Sequence, residues 1–264
     1  MDMGLKNKTA LVTGSTKGIG KAIAIELARE GVNVLINGRN YEGVERTVDQ
    51  IKSAFPATSP QNAVADLVNI QQREALFEKF PDVDILVNSM GRYEIMQYDD
   101  VSDEVWETYF RTNVLAANGL SKFYLPKMLK NDYGRIIFIA SEEAVMPSGL
   151  MPQYGMTKSM LLSLSKSLSK LTKGTGVTVN SIMPGPTLSE NVQHIIEGIY
   201  PDGDMMFSEK EKNFMTTNLP QSEIQRFIEP SEIGRLATFV CSPYASAFRG
   251  SPIRMDGGMV PTIF

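Results

Sequence analysis

The stretch "TALVTGSTKGIG", residues 9–20, joins a β-branched run to the first turn of an apolar-periodic helix through a turn that holds Gly14, Gly18 and Gly20. Glycines in such a turn let the backbone bend tightly and come close to a ligand. The unbonded N–H groups at the helix start favour an anion such as a pyrophosphate. The spacing departs from G-x-G-x-x-G, so the residues alone leave two readings, a plain turn and an anion cradle. Past the turn, Ile19, Ile23 and Leu27 recur every four residues, which gives one apolar face of a helix that ends at Gly31.

The same alternation continues outward. The runs "NVLIN" (33–37), "NAVAD" (62–66), "DILVN" (84–88), "RIIFIA" (135–140), "VTVNSI" (177–182) and, last, "SPIRMD" (251–256) are continuous enough to be strands covered on both faces. Helical stretches separate them. The pattern predicts an α/β fold, a doubly wound parallel sheet of about seven strands with right-handed crossovers and helices on both faces. No repeat, low-complexity tract or Pro/Gly/Ser linker divides the chain, so residues 1–264 are expected to form a single domain. The exception to the pattern is 188–229, which carries no strand signal and mixes Met205, Met206, Phe207, Phe214 and Met215 with charges. It reads either as a helical lid whose methionines adapt to an apolar substrate, or as a peripheral excursion that packs its own apolar face or meets another subunit.

Composition excludes several classes of function. A net charge of −4 with both signs interspersed leaves no basic stripe to follow a phosphate backbone, so nucleic acid is not an expected partner. Cys241 and His194 are the lone residues of their kinds, which rules out an internal disulfide, a multi-cysteine metal site and a histidine cluster. No metal is expected, and the compartment suggested is the reducing cytosol. The N-terminal residues lack the apolar core of a signal peptide, and no apolar run is long enough to span a bilayer, so the chain reads as soluble, unprocessed and free of the membrane.

Two further stretches bear on chemistry. Where a nicotinamide dinucleotide binds such a fold, the residue past the second strand selects the cofactor: an acid holds a ribose hydroxyl, a base accommodates a 2′-phosphate. Here "INGRN" offers Arg39 and no acid, and Lys17 lies in the glycine turn, so NADPH is favoured over NADH. Solvated surface charge is the alternative. In "QYGMTK" (153–158), Tyr154 and Lys158 stand four apart, which on a helix puts them on one face about one turn from each other. That spacing also occurs by accident.

Taken together, these stretches resemble the short-chain dehydrogenase/reductase family, of the Rossmann type, over nearly the whole chain. The glycine turn is similar to T-G-x-x-x-G-I-G, "NSMG" (88–91) to N-N-A-G with Ser89 and Met90 departing, "RTNV" brings Asn113, and Ser141 stands thirteen residues ahead of Tyr154, with Lys158 following. "NSIMPGPT" (180–187) and "RMDGG" (254–258) resemble the family's closing segments. The resemblance implies a catalytic set of Asn113, Ser141, Tyr154 and Lys158. Tyr154 would be the general acid or base, Ser141 would hold the substrate oxygen, Lys158 would bind the nicotinamide ribose, and Asn113 would hold a water that relays protons. Charge on Lys158 and on the oxidised nicotinamide is expected to favour the phenolate.

It also implies cofactor contacts from Gly14, Ser15, Thr16, Lys17, Gly18, Ile19 and Gly20, and from Arg39. Asp66 and Leu67 would meet adenine, Asn88 and Gly91 the ribose, and Pro184, Gly185 and Thr187 the carboxamide. For Asp66 and Asn88, capping of strand ends is the alternative. Glu142 and Glu143, which follow Ser141, read as a solvated loop pair; if one faced the pocket it would disfavour anionic substrates. The expected activity is interconversion of a small-molecule carbonyl and a secondary alcohol with NADP(H). Alternatives are a 3-oxoacyl thioester reductase, a sugar or polyol dehydrogenase, and a nucleotide-sensing regulatory protein that has lost turnover. Family members commonly form homotetramers or homodimers across the helix that begins near Tyr154.

Overall fold

A computed structural model describes residues 2–201 and 203–263. Its centre is a parallel sheet of β1 (Thr9–Val12), β2 (Asn33–Ile36), β3 (Gln61–Asn62), β4 (Ile85–Asn88), β5 (Gly134–Ile139), β6 (Val177–Pro184) and β7 (Pro252–Met255), in the order β3-β2-β1-β4-β5-β6-β7. The chain lays strands outward from β1 in one direction, then returns to β4 and builds in the other. β1 and β4 pair in register, Ala10 opposite Ile85 and Val12 opposite Val87, so the crevice at this reversal opens at their C-terminal ends. The glycine turn leaves the sheet there.

The helices are α1 (Gly18–Arg29), α2 (Tyr41–Ala54), α3 (Ile70–Lys79), α4 (Asp103–Tyr109), α5 (Ala116–Lys130), α6 (Pro152–Leu171), α7 (Glu190–Ile199), α8 (Phe207–Asn218) and α9 (Pro230–Cys241). Because strand side chains alternate between faces, Ala10 and Val12 enter one core with Ile23 and Leu27 of α1, Val44 and Ile51 of α2 and Ile233 and Val240 of α9. Leu11 enters the other, with Leu76 of α3, Leu120 and Tyr124 of α5 and Leu161 of α6. Both faces are therefore covered, as the unbroken apolar strands require. Gly31, at φ +80, ends the first helix in the left-handed conformation expected from its position.

The third strand is shorter than expected. Pairing with β2 joins Leu35 to Gln61 and Ile36 to Asn62, and residues 63–66 run on as extended chain outside the ladder. Single contacts from Ala63 N to the Ile36 carbonyl and from Ala65 N to the Gly38 carbonyl continue the edge. The sequence pattern registered burial of Ala63 and Ala65, and burial does not require a ladder. The stretch 188–229 holds α7 and α8 and keeps a small core of its own, Ile196, Met215 and Phe227. It is tied to the rest of the chain by an isolated parallel bridge, Thr187 with Ile228, and by the N–H groups of Glu223 and Ile224, which donate to the Gly257 carbonyl. No helix among the described residues is long and apolar enough to cross a membrane.

Candidate active site

The glycine turn is tied to its neighbours before any ligand is considered. Thr13 Oγ1 accepts from the N–H groups of Ser89 and Met90, each at 2.9 Å, which joins the end of β1 to the loop after β4. Asn37 does the same on the other side: its amide nitrogen donates to the Ala63 and Ala65 carbonyls at 2.8 and 3.2 Å, while its oxygen accepts from Gly14 N at 3.4 Å. Two glycines are required by this closeness. Gly14 has φ +63, and a Cβ at Gly20 would stand 2.5 Å from the Gly14 carbonyl oxygen. Gly18, at φ +55, has nothing within 4 Å of where its Cβ would be. The start of α1 has no side-chain cap, so its first N–H groups are left for a ligand.

Arg39 and Lys17 are exposed, and neither forms an ion pair among the described residues. Asp66 Oδ1 accepts from Val68 N at 3.0 Å, the local turn anticipated as its alternative role. Leu67 is buried, and its carbonyl accepts from Arg73 at 3.1 Å. Asn88 is buried with its nitrogen 3.4 Å from Ser121 Oγ, and its side-chain oxygen has no hydrogen-bond partner. Gly185 N donates to the Met255 carbonyl, and Thr187 Oγ1 to the Gly185 carbonyl, so the loop beyond Pro184 is held against the end of β7. Ser189 caps α7 by accepting from Val192 N.

The four expected catalytic side chains come from three places in the fold, α6, the turn after β5 and the segment between α4 and α5. Tyr154 and Lys158 share one face of α6, with Nζ 5.3 Å from the centre of the Tyr154 ring. The Lys158 ammonium donates to the Ile139 carbonyl at 2.7 Å and would lie 3.5 Å from a Cβ on Gly91. Asn113 sits in a π-helical turn, Phe110–Leu115, between α4 and α5. Such a turn shifts the helix register by one residue and is frequent at functional sites. Its buried amide accepts from Arg92 N at 2.8 Å and donates to the Arg92 carbonyl at 3.1 Å and to Thr157 Oγ1 at 3.0 Å. Thr157 passes the connection on to the Tyr154 carbonyl at 2.7 Å. Tyr93 and Thr157 escaped the sequence reading. Thr157 adjoins Lys158 in the chain, whereas Tyr93, edge-on to Tyr154 at 6.1 Å, gave no signal.

The acids after Ser141 are not a solvated pair. Glu143 is buried, and its carboxylate accepts from Ser148 N at 3.0 Å. Glu142 is half-buried and accepts from Ser141 Oγ at 2.6 Å, while Ser141 Oγ itself accepts from Glu143 N at 3.2 Å. The 3₁₀ turn Glu142–Ala144 brings the Glu142 carboxylate and the Glu143 N–H back onto the serine, which no local sequence pattern announces. Burial pushes the Glu142 carboxyl up to about 7, the Ser141 hydrogen bond opposes this, and Glu143 and Asp256 add to it.

Burial also holds the Tyr154 phenol well above its ordinary value, against the lowering effect of the Ser141 hydroxyl, and it brings Lys158 down to about 8. The expectation that charge on Lys158 favours the phenolate is thus outweighed in the protein alone by desolvation of both groups.

Comparison with known proteins follows the same lines. A model of the short chain dehydrogenase family matches residues 8–199. An uncharacterized oxidoreductase of Bacillus subtilis, YvaG, is 46% identical over 264 residues, covering 100% of both chains. The D-beta-hydroxybutyrate dehydrogenase of Cupriavidus necator is 32% identical, covering 97% of this chain and 99% of its own. Among solved structures, the L-sorbose reductase of Gluconobacter frateurii, complexed with NADPH and L-sorbose, superposes with a TM-score of 0.92 at 30% identity over 100% of both chains. With that coverage and a sheet reversed between β1 and β4, this chain is an oxidoreductase of the short-chain dehydrogenase family.

Proposed function

We propose that the protein interconverts a small carbonyl compound and its secondary alcohol with NADP(H), Tyr154 acting as the proton donor for reduction. The observation that carries this reading is the meeting of Tyr154 and Lys158 on α6 with Ser141 after β5 and with Asn113, which holds Gly91's neighbour Arg92 through both backbone groups. NADPH, when bound, supplies the hydride.

The chain's own groups fit that cofactor. The uncapped start of α1 and the open space at Gly18 suit a pyrophosphate, with Gly14, Ser15, Thr16, Ile19 and Gly20 forming the turn around it. Asn88, with a buried oxygen lacking a partner, and Gly91 suit a ribose edge. Arg39 and Lys17, exposed and in no ion pair among the described residues, favour a 2′-phosphate over a bare hydroxyl. Asp66 and Leu67 would lie beside adenine, and Pro184, Gly185 and Thr187 beside the carboxamide.

Tyr154 stays protonated at neutral pH because burial raises it, and a protonated phenol is what carbonyl reduction consumes. Ser141 donates to the substrate oxygen, so that the charge developing there meets two donors. Lys158 keeps an ammonium beside the ring and orients the ribose. Asn113 fixes the 91–92 loop against α6 and holds the proton-relay water. Residues 188–229 close over the substrate as a lid, in a one-domain chain that assembles as a homodimer or homotetramer across α6 in the cytoplasm.

Tyr154→Phe is expected to lower kcat by about 100- to 10,000-fold while NADPH still binds. NADPH oxidation is followed by absorbance with a panel of neutral ketones, sugars and thioesters. Normal turnover in the variant, or a clear preference for NADH in the native protein, defeats the assignment. No turnover with any member of the panel points to the regulatory alternative.

A further inference from the structure

The Glu142 carboxylate is a charged group in the catalytic crevice that the reaction above does not use. We propose that Glu142 selects the substrate, accepting a hydrogen bond from a hydroxyl on the carbon beside the reacting carbonyl and excluding compounds that carry a carboxylate there. This deepens the carbonyl-reduction reading and rests on it.

Donor bookkeeping leads to the inference. A serine hydroxyl has one proton, and Ser141 spends it on Glu142 at 2.6 Å. To hold a substrate carbonyl, Ser141 must turn that proton toward the substrate, which takes the short hydrogen bond from the half-buried carboxylate and leaves it the N–H of its own backbone. An acceptor oxygen uncovered away from bulk water costs free energy. The neighbouring side chains are acidic or directed elsewhere. Glu143 is itself a carboxylate, taken by Ser148 N. Asp256 is a carboxylate occupied by Gly258 N and Val260 N. Lys158, from α6, directs its ammonium at the Ile139 carbonyl, and Tyr154 is needed at the substrate oxygen.

The substrate can bring the replacement with it. The group that would donate to the carbonyl, Ser141 Oγ, and the one that would accept from the hydroxyl, Glu142 Oε2, are 2.6 Å apart, which matches the neighbouring oxygens of an α-hydroxyketone. The field at the same place is acidic from three directions, Glu142, Glu143 and Asp256, with Lys158 the opposing charge. A substrate carboxylate set there meets like charge in a partly desolvated site, a repulsive selection against the wrong ligand.

A matched series tests this: hydroxyacetone, acetone and pyruvate differ in the group beside one ketone. With NADPH at about pH 8, where Glu142 is ionised, kcat/KM is measured for native protein and Glu142→Gln. The hydroxyacetone-to-acetone ratio is expected to fall about 10-fold or more in Glu142→Leu, measured alongside because glutamine keeps an acceptor oxygen, and the pyruvate-to-acetone ratio to rise about 10-fold in both variants. Ratios within one protein are insensitive to any loss of folded enzyme. Ratios unchanged to within about threefold overturn the inference.

A second readout needs no turnover. Thermal shifts of NADPH-loaded Tyr154→Phe, with and without Glu142→Leu, are compared for hydroxyacetone and pyruvate. If native protein reduces no carbonyl, the carbonyl reading fails and these shifts decide alone: a hydroxyacetone preference that depends on Glu142 sustains its role, and equal shifts remove it.

Discussion

Glu142 carries a pH signature that stability measurements can read without any substrate. Its carboxyl lies at about 7 in the folded protein against an ordinary 4.5, raised first by burial. Below the ordinary value both folded and unfolded states are protonated, and the group's contribution to stability is fully present. As pH rises through about 7, the folded state must ionise a group that burial disfavours, and that contribution is lost. Glu142→Gln lacks the titration, so its stability relative to native protein should improve between about pH 5 and pH 8 by something on the order of 1 kcal/mol, after discounting for partial solvent screening. Lys158 has the opposite slope, since its lowered value makes stability rise with pH through about 8, but both proteins contain it and it largely cancels. Melting temperatures at the two pH values check this, and an identical native-to-variant difference at both would show that the Glu142 carboxyl titrates normally. The sequence placed these acids beside Ser141 but read them as solvated, because whether a turn folds back or outward is set by the strands and helix that flank it.

The π-helical turn Phe110–Leu115 aims Asn113 at Arg92 and Thr157, and its cost is met by three hydrogen bonds from one amide. Asn113→Ala leaves the N–H and C=O of Arg92 without that partner in a partly buried site. The expected loss is about 1–3 kcal/mol in urea unfolding, together with weaker NADPH binding as the 91–92 loop loosens. Full stability in that variant would mean that water replaces the amide without loss. The identity of Asn113 was legible in the chain through its resemblance to a family motif. The register shift that orients it was not, because α4 and α5 flank it with ordinary helical dihedrals and no proline or glycine marks the change. Similarly, α1 was readable from a four-residue apolar period, whereas β3 was overextended because alternate burial survives where ladder pairing stops.

Across the whole molecule, the two large cores run beneath every strand of the sheet's centre, and the α7–α8 region keeps a separate small one. Regions with few buried contacts open locally at lower free energy than the main core. Amides of α7 and α8 are therefore expected to exchange hydrogen faster than those of β4, β5 and β6 by about 100-fold or more, and to slow on addition of NADPH. Exchange measured by mass spectrometry decides it: equal protection of both regions argues against a lid. Of the two readings of the methionines, the structure puts Met215 inside the small core and leaves Met206 exposed, so only part of that set is free to meet a ligand. Alternating strand and helix patterns, the glycine turn and the Tyr154–Lys158 spacing are local periodicities, and the sequence by itself determined the fold class and the positions of the site motifs. The tertiary structure alone decided which groups meet across the crevice: Thr13 with the 89–90 loop, Asn37 with the edge strand, Asn113 with α6, and Glu142 with Ser141. These pairings depend on burial and on approach between segments far apart in the chain, and neither composition nor spacing encodes the dielectric and the distances that set their chemistry.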